Sequence, residues 1–555
     1  MVIIHPAGPR GVQPATAICL PILNVTRLNV PALDRAAKTG SIRTPFARKH
    51  RKPHSVSHAY LLGIDNGGTV AKAALIGLDG RELAIASART ETVSPRPGWS
   101  ELDADRLWQT TAETVRRLID QNAVDPQAIA AVACTGHGNG LYLIDQHGNP
   151  VRPAIFSADM RAQSYVDRWN DAGIDRIVRP RTMQALWAGQ PNALLAWLQD
   201  HELDTLQRAR WALMCKDFIR YRLTGEARGE MTDMSGTSLM DVRQSQYSAD
   251  VLEAFGIGRW STLLPPLCLS HDRCGGVTAE AAWATGLAEG TPVAGGMFDV
   301  DACALASALT DEDTLGMTLG TWGINQYVSA TPVVEGVFMT SRYCVPGYYL
   351  ILEGSATSAS NLEWFVQHWL AAESAAASTE GQTLYQRINQ IVAGTAPSPD
   401  GPLFLPFLYG SNVHPSATGS LVGLRAGHRR GEVLRAVFEG VVFAHRTHWE
   451  RLLKVRAAPR RIRASGGAAR SDVWVQMIAD VFQVPVQVPD GSEFGALGAA
   501  ICASVAAGCH ADYPSACRAM VRFSRRFEPN RDLASYYAAK YDRYQRLAAT
   551  LNNFW

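Results

Sequence analysis

The sequence predicts an α/β protein built from two related halves. Buried strands alternate with amphipathic helices along most of the chain, which is the pattern of α/β folds. A strand, glycine-rich turn and second strand at residues 61–77 recur at residues 314–330. The 555 residues exceed what one hydrophobic core usually organises. Together these observations favour a duplicated α/β domain with a boundary near residue 310.

Composition excludes several classes of protein. Apolar residues are 47% and charged residues 19% of the chain, as in ordinary globular proteins. The net charge of +2 predicts no general attraction to nucleic acid or to an acidic membrane. No apolar run approaches the ~18 residues that span a bilayer, and the start of the chain does not resemble a secretory signal. Ten scattered cysteines without CxxC spacing predict buried reduced thiols in a cytoplasmic protein.

Residues 1–57 differ from the rest of the sequence. Their segment 43–55, RTPFARKHRKPHS, is basic, contains prolines and shows no periodicity. We interpret residues 1–57 as a disordered extension or as the product of a start codon assigned too far upstream. A nucleic-acid-binding or targeting tail is the alternative.

Folded sequence is expected from Ala59 onward. A meander of three strands closed by turn residues comes first, followed by a helix with apolar residues at helical spacing and by two further strands. In chain order these segments are AYLLGID, AKAALIGL, ELAIASART, DADRLWQTTAETVRRLIDQ, AIAAVACTG and GLYLIDQHGNPV.

The turn after the first strand combines an acid with glycines. Asp65 ends the strand, and Gly67, Gly68 and Thr69 follow it. Glycines let a backbone approach a phosphate and direct N–H groups at it, and the carboxylate could hold a water of Mg²⁺. A plain hairpin turn of the Asn-Gly-Gly type is the alternative, and this segment alone favours it.

Two glycine-containing turns in the second half fit the same chemistry. LGTWG (319–323) supplies the hydroxyl of Thr321 and the backbone of Gly320. In ASGGAARSDVWVQMIADVF (464–482), a base and ribose could lie over Gly466 and Gly467. Tight turns are the alternative in both places, and the apolar stripe of the following helix is expected in the core.

Segment 291–309, TPVAGGMFDVDACALASAL, predicts a strand, a Gly-Gly turn and a helix that begins at Asp299. Asp299 suits a helix N-cap. It equally suits a general base that takes the proton from a hydroxyl attacking a γ-phosphate. We expect Asp301 to face solvent rather than to pair with Asp299 around a metal.

Three common catalytic motifs are absent from the sequence. There is no G-x-x-x-x-G-K-[ST], so a P-loop is excluded. GHGNG (136–140) lacks the spacing of a dinucleotide-binding fingerprint, and no G-x-S-x-G occurs.

Taken together, residues 59 to about 550 resemble the FGGY family of carbohydrate kinases. The most specific part is GSLVGLRAGHRRGEVLRAVFEG (419–440), with spaced glycines and a helix ending in an acid-glycine pair; segments 216–225 and 232–241 also look like family segments. The resemblance implies two actin-like (ribonuclease H-like) ATPase domains with an interdomain cleft. These would be a sugar-binding domain over 58–310 and a nucleotide-binding domain over 311–555.

The resemblance also implies roles for individual residues. Asp299 would be the catalytic base and Asp65 the acid associated with Mg²⁺. The residues expected to bind ATP are Gly67, Gly68, Thr69, Lys72, Gly320, Thr321, Gly466, Gly467 and Ala468. The residues expected around the sugar are His137, Asn139, Asp159, Arg161 and Asp233. A structural ion pair between Asp159 and Arg161 is weighed equally with sugar contact.

Several departures bear on the substrate. D-xylulose kinases usually carry Gln-Met-His where this chain has His137, Gly138 and Asn139, and Trp where it has Ser157. A Lys expected after Pro191 is missing, since Asn192 and Ala193 follow. Runs such as GLYLID, SADMRAQ and AHRTHWERL look most like the L-xylulose kinase branch.

The expected reaction is therefore ATP-dependent phosphorylation of L-xylulose to L-xylulose 5-phosphate. D-xylulose, L-ribulose and erythritol are alternative substrates. A non-catalytic sugar or nucleotide sensor is a rival class, which need keep neither Asp65 nor Asp299. Sugar and ATP are the expected partners, nucleic acid and membranes are not, and a homodimer is left open.

Overall fold

The computed structural model describes residues 59–555, except 380, 412 and 415. The expectation of a disordered extension falls on residues 1–57, outside this described part. Within the described ranges, every helix is too short or too polar to cross a membrane.

The first half of the described chain alternates strands with helices up to Ala306. Its strands are β1 Tyr60–Asn66, β2 Val70–Gly77, β3 Glu82–Arg89, β4 Glu101–Leu102, β5 Ile129–Gly136, β6 Tyr142–Ile144, β7 Ala154–Ile155, β8 Trp211–Leu213, β9 Gly229–Glu230, β10 Met240–Asp241, β11 Gln246–Tyr247, β12 Leu267–Cys268, β13 Arg273–Gly276, β14 Pro292–Ala294 and β15 Met297–Phe298. Its helices are α1 Ala104–Gln121, α2 Gln163–Asp171, α3 Ile174–Thr182, α4 Pro191–His201, α5 Leu203–Arg208, α6 Cys215–Thr224, α7 Met231–Met234, α8 Ala249–Ala254, α9 Ala279–Thr285 and α10 Asp299–Ala306.

The second half repeats this alternation from Thr314 onward. Its strands are β16 Thr314–Leu319, β17 Gly323–Ser329, β18 Met339–Arg342, β19 Tyr349–Ser355, β20 Leu403–Leu405, β21 Ser420–Val422, β22 Arg461–Ser465, β23 Val486–Pro489 and β24 Phe523–Phe527. Its helices are α11 Ser360–Trp369, α12 Ala371–Thr379, α13 Leu384–Ala393, α14 Arg430–Leu452, α15 Asp472–Phe482, α16 Phe494–Ala506, α17 Tyr513–Met520 and α18 Ala534–Leu551.

The first large sheet has the strand order β13-β14-β5-β1-β2-β3, with β15 also beside β5. β1 runs antiparallel to β2, and Asp65 pairs with Lys72. β1 is parallel to β5, and β15 is parallel to β5, with Phe298 opposite Gly136. Since these three strands are parallel, their carboxyl ends meet at one edge of the sheet, where ligands bind in open α/β sheets.

The second large sheet has the order β18-β19-β17-β16-β22-β23-β24. Its β16 is antiparallel to β17 and parallel to β22, with Thr318 opposite Ser465. The antiparallel meander beside parallel strands reproduces the arrangement of β3-β2-β1-β5. The predicted recurrence of residues 61–77 at 314–330 is therefore confirmed, as is the α/β class with two mixed sheets.

Small residues let α16 of the second half pack closely on the first half. A Cβ at Gly63 of β1 would lie 1.9 Å from the carbonyl oxygen of Ala496, and one at Gly498 would lie 2.1 Å from that of Ala302. Contacts this short exclude any side chain at either glycine. The resulting core contains buried residues from α10, α16, α17 and β1, and it holds α10, with Asp299 at its start, against α16.

Candidate functional site

Asp65 stands at the carboxyl end of β1, where the sequence analysis expects a metal-associated acid. Its side chain is half-buried, and a Cβ at Gly495 would lie 2.3 Å from its Oδ2. Burial raises the pKa of Asp65 to about 6, and the positive charge of Lys72 partly opposes this effect. Lys72 in turn donates to Glu493 Oε2 at 2.6 Å. Asp65 is therefore mostly ionised at neutral pH and can attract a cation.

The phosphate-binding residues expected after Asp65 form an open turn. Gly67 and Gly68 are half-buried and Thr69 is exposed. A Cβ at Gly68 would lie 2.3 Å from the Phe156 ring, so a larger residue would have to displace that ring. Both glycines line a pocket that also reaches His137.

Asp299 is the first residue of α10 and lies at the same edge of the sheet. Burial, helped by the negative charges of Asp65 and Asp233, raises its pKa to about 8, although backbone N–H groups at the helix start act in the opposite direction. Asp299 is half-buried rather than enclosed. It is thus a carboxylate that can exchange a proton at neutral pH, which is the property of a general base.

The expectation that Asp301 faces solvent is wrong. Asp301 is 0% exposed, and burial raises the pKa of its carboxyl well above the ordinary range. Helical geometry explains the error, because residue 301 is turned by two positions from Asp299 and points towards the packed side of α10.

The two turns of the second half lie side by side. Thr318 Oγ1 and Ser465 Oγ are 3.3 Å apart across β16 and β22. Gly466 has φ +91°, and a Cβ there would lie 2.7 Å from the carbonyl oxygen of Leu319. Gly320 and Thr321 follow immediately, half-buried and exposed respectively.

The positions expected to hold adenosine leave room above them. A Cβ at Gly467 would have no heavy atom within 4 Å. Ala468 is partly buried and packs on the core of this half. Thr321 and Gly467 are exposed, so this surface can accept a ligand.

His137 and Asn139 follow β5 and are 6% and 5% exposed. His137 Nε2 lies 2.9 Å from the Tyr142 hydroxyl, and burial lowers the pKa of His137 to about 4, so the ring is neutral. Within the described residues, His137 Nδ1 and Asn139 Oδ1 are buried without a hydrogen-bond partner. Unsatisfied buried polar atoms are costly, and a polyhydroxylated ligand would satisfy them.

Asp159 and Arg161 are engaged with each other. Asp159 Oδ1 accepts from both the backbone N and Nε of Arg161, at 2.8 and 2.9 Å, and its Oδ2 accepts from Ser100 N at 2.6 Å. The Arg161 side chain is 0% exposed, donates to Glu101 at 2.7 Å and lies over the Trp99 ring. This geometry favours the structural ion pair among the two alternatives.

Asp233 lies in a buried ionic cluster with Lys216. Lys216 Nζ is 2.9 Å from Asp217, 3.3 Å from Glu230 and 3.4 Å from Asp233, and all four side chains are 0% exposed. Burial raises the pKa of Asp233 to about 7, although the charge of Lys216 opposes the shift. The negative charge of Asp233 also acts on Asp299, whose pKa it raises.

Three residues of this region carry no role in the sequence analysis. Glu493 pairs with Lys72 from a position 421 residues away. Asn192 is fully buried, and both of its side-chain polar atoms lack a hydrogen-bond partner among the described residues. Phe298 packs beside Gly138. The sequence drew attention only to Asn192, a polar residue at a position where a Lys is expected. The contacts of Glu493 and Phe298 join residues far apart in the chain, and motif spacing does not reveal such contacts.

The two sheets share one topology, and each carries glycine-containing turns at one edge. The first half also carries paired acids at that edge. This arrangement is typical of actin-like phosphotransferases. Family comparison is more specific. Residues 60–306 match the N-terminal domain and residues 315–507 the C-terminal domain of the FGGY family of carbohydrate kinases. The chain belongs to this family and is an ATP-dependent sugar kinase.

Individual relatives point to one branch. The chain is 36% identical over 502 residues to the L-xylulose/3-keto-L-gulonate kinase of Escherichia coli K12, covering 89% of this chain and 98% of that protein. It is 37% identical over 496 residues to the probable L-xylulose kinase of Pasteurella multocida, covering 89% and 99%. Among solved structures, the xylulose kinase from Rhodospirillum rubrum aligns with a TM-score of 0.81 at 29% identity, covering 89% of this chain and 99% of that chain.

Proposed function

We propose that this kinase transfers the γ-phosphoryl group of ATP to L-xylulose, forming L-xylulose 5-phosphate, with Asp299 as the general base. The observation that carries the proposal is the position of Asp299 at the start of α10, half-buried, with a pKa raised to about 8 by burial and by Asp65 and Asp233. A carboxylate with such a pKa takes a proton from an attacking hydroxyl more readily than an ordinary one.

The acceptor would bind beside this base, on the loop after β5. His137 Nδ1, Asn139 Oδ1 and both polar atoms of Asn192 supply buried hydrogen-bonding groups without partners in the described chain. A keto-pentose offers a hydroxyl or carbonyl for each of them. The likeness to two L-xylulose kinases at 36% and 37% identity favours L-xylulose over D-xylulose, L-ribulose and erythritol.

ATP would bind along the glycine-containing turns. Backbone N–H groups of 67–69 and 320–321 would meet the phosphates, with Lys72 nearby, and adenosine would lie over 466–468. These positions are half-buried or exposed, so a ligand can reach them. The Gly320 N–H donates to the carbonyl oxygen of Trp322 at 3.3 Å and would exchange that partner for a phosphate oxygen. Preorganised N–H donors stabilise transferred charge without having to reorganise during the reaction.

A divalent cation, with Mg²⁺ expected, fits at Asp65. Burial raises the pKa of this acid and the like charge of Glu493 adds to the effect, so a cation beside Asp65 would stabilise its ionised form. The described residues contain no cluster of three or more metal-binding side chains, so phosphates and water would complete the ligand set, as is usual for Mg²⁺. When bound, the cation neutralises phosphate charge.

The residues of this chain would act in the following order. The hydrogen-bonding groups near Asn139 orient the acceptor, and closure of the cleft excludes water. Asp299 accepts the proton of the terminal hydroxyl as that oxygen attacks the γ-phosphorus, and ADP leaves. Cytoplasmic location and a homodimer remain predictions of the sequence.

A coupled assay of ADP release tests the proposal. The acceptors are L-xylulose, D-xylulose, L-ribulose, erythritol and 3-keto-L-gulonate, with the Asp299→Asn variant as the matched inactive control. We expect the highest kcat/KM with L-xylulose. A higher kcat/KM with any other acceptor would refute the substrate, and ADP release by the variant at the wild-type rate would refute the base.

A further inference from the structure

The aromatic ring of Phe298 occupies space that a side chain at position 138 would need. A Cβ at Gly138 would lie 2.1 Å from Phe298 Cε2, 2.5 Å from Cζ and 2.7 Å from Cδ2. Separations below about 3 Å between carbon atoms do not occur without displacement. The position of the Phe298 ring therefore depends on the residue at 138, because a side chain at that position would overlap the ring.

Phe298 is held firmly in this place. Its backbone N–H donates to Thr232 Oγ1 at 2.9 Å, and its residue pairs with Gly136 of β5. The side chain is 7% exposed and packs with Met339 and Leu352 of the second half. The ring thus bridges both halves at the edge of the site.

The position of the ring relates it to the acceptor. Gly138 lies between His137 and Asn139, whose unpartnered polar atoms are the proposed sugar-binding groups, and Phe298 directly precedes Asp299, the proposed base. Since the ring abuts Gly138 and its own residue adjoins Asp299, an acceptor that reached both sets of groups would lie beside the Phe298–Gly138 contact. A fixed aromatic ring there restricts the shape of the carbon chain, whereas the hydrogen-bonding groups alone would tolerate many polyhydroxylated compounds.

We propose that Phe298 is a specificity-determining residue that acts as a pair with Gly138 to select among keto-sugars. This inference rests on the proposed function, because it assumes that the loop after β5 receives the acceptor. Shape selection in an apolar wall is commonly worth about 10-fold to 200-fold in kcat/KM for one methylene.

The test is a double-mutant cycle with Phe298→Ala, Gly138→Met and the combined variant. Gly138→Met introduces the residue expected there in a D-xylulose kinase, and its flexible side chain can occupy the volume that the ring vacates. We expect Phe298→Ala to change the ratio of kcat/KM for L-xylulose over D-xylulose by about 10-fold or more, with the KM for ATP altered less than about twofold. Gly138→Met alone should lose most activity, and the combined variant should regain about 10-fold of it.

Met339→Ala is the matched control, because Met339 belongs to the same apolar cluster, whereas the three heavy atoms nearest to a Cβ at Gly138 all belong to Phe298. It should lower the melting temperature and leave the acceptor ratio unchanged. Phe298→Leu keeps the cluster filled and serves if the alanine variant does not fold.

An unchanged acceptor ratio in the Phe298 variants, an equal change in Met339→Ala, or no recovery in the combined variant would each overturn the inference. Failure of the wild type to use any keto-pentose would instead count against the proposed function. In that case the variants are compared by the ratio of kcat/KM for two acceptors that the wild type does use.

Discussion

The two halves of the molecule share a sheet topology but carry different chemistry at the same edge. At the end of β1 stands Asp65, and Asp299 and the Lys216 cluster lie nearby, so the first half concentrates charge. At the corresponding place in β16 stands Thr318, opposite Ser465, and the turns that follow are built from glycines and exposed backbone. Under the proposed function, the same scaffold would support proton transfer in one half and accommodate a nucleotide in the other. Variants in each half can test this division.

Asp299→Asn should abolish the proton-accepting function of the charged half and leave the other half intact. We expect kcat to fall by about 10²-fold to 10⁴-fold, because an amide cannot accept the proton, while ATP affinity changes little. Steady-state kinetics and calorimetric titration with ATP measure the two quantities. A comparable loss of ATP affinity would show that the halves do not divide the work in this way.

Lys216→Met should destabilise the protein strongly, because it leaves Glu230 and Asp233 buried without the cation that they share, whereas Asp217 keeps its ion pair with Arg220. Removal of one partner from a buried ionic cluster costs about 3–5 kcal/mol of unfolding free energy. Denaturant unfolding provides the measurement. Lys72→Met is the matched control for a partly exposed lysine, whose ion pair with Glu493 contributes less than about 1 kcal/mol; an equal loss in both variants would contradict the prediction.

Gly467→Ala and Gly466→Ala should separate nucleotide binding from folding in the second half. Nothing lies within 4 Å of a Cβ at Gly467, so its variant should keep the wild-type melting temperature and raise the KM for ATP by about 10-fold if adenosine lies there. Gly466 has φ +91° and abuts Leu319, so its variant should lose about 1–3 kcal/mol of stability. An unchanged KM for ATP in Gly467→Ala would place adenosine elsewhere.

The raised pKa of Asp299 predicts a pH-dependent stability. Since the folded protein holds this proton up to about pH 8 and an unfolded Asp releases it near pH 4, the contribution of Asp299 to stability is present at low pH. It falls as pH rises through that window. Asp299→Asn should therefore melt at the same temperature as wild type near pH 4 and a few degrees higher near pH 9. Melting curves that stay parallel across this range would contradict the assigned pKa.

Local sequence determined a large part of this architecture. The recurrence of residues 61–77 at 314–330 predicted the duplicated strand–turn–strand unit, and the helix beginning at Asp299 was placed correctly. These features depend on hydrophobic periodicity and on turn residues, which act over short stretches of chain. The family resemblance was equally readable, because the FGGY signature at 419–440 is continuous in sequence.

The tertiary structure alone decided which of the named residues have free polar atoms. Asp159 and Arg161 pair with each other, although Arg161 Nη1 keeps no hydrogen-bond partner among the described residues. Asp301 is buried rather than exposed, and Asn139 keeps an unpartnered oxygen among the same residues. The contact of Phe298 with Gly138 likewise joins residues 160 positions apart in sequence. Burial, pKa and steric exclusion depend on every element packed around a group, and chain-distant packing leaves no period or spacing in the sequence from which it could be predicted.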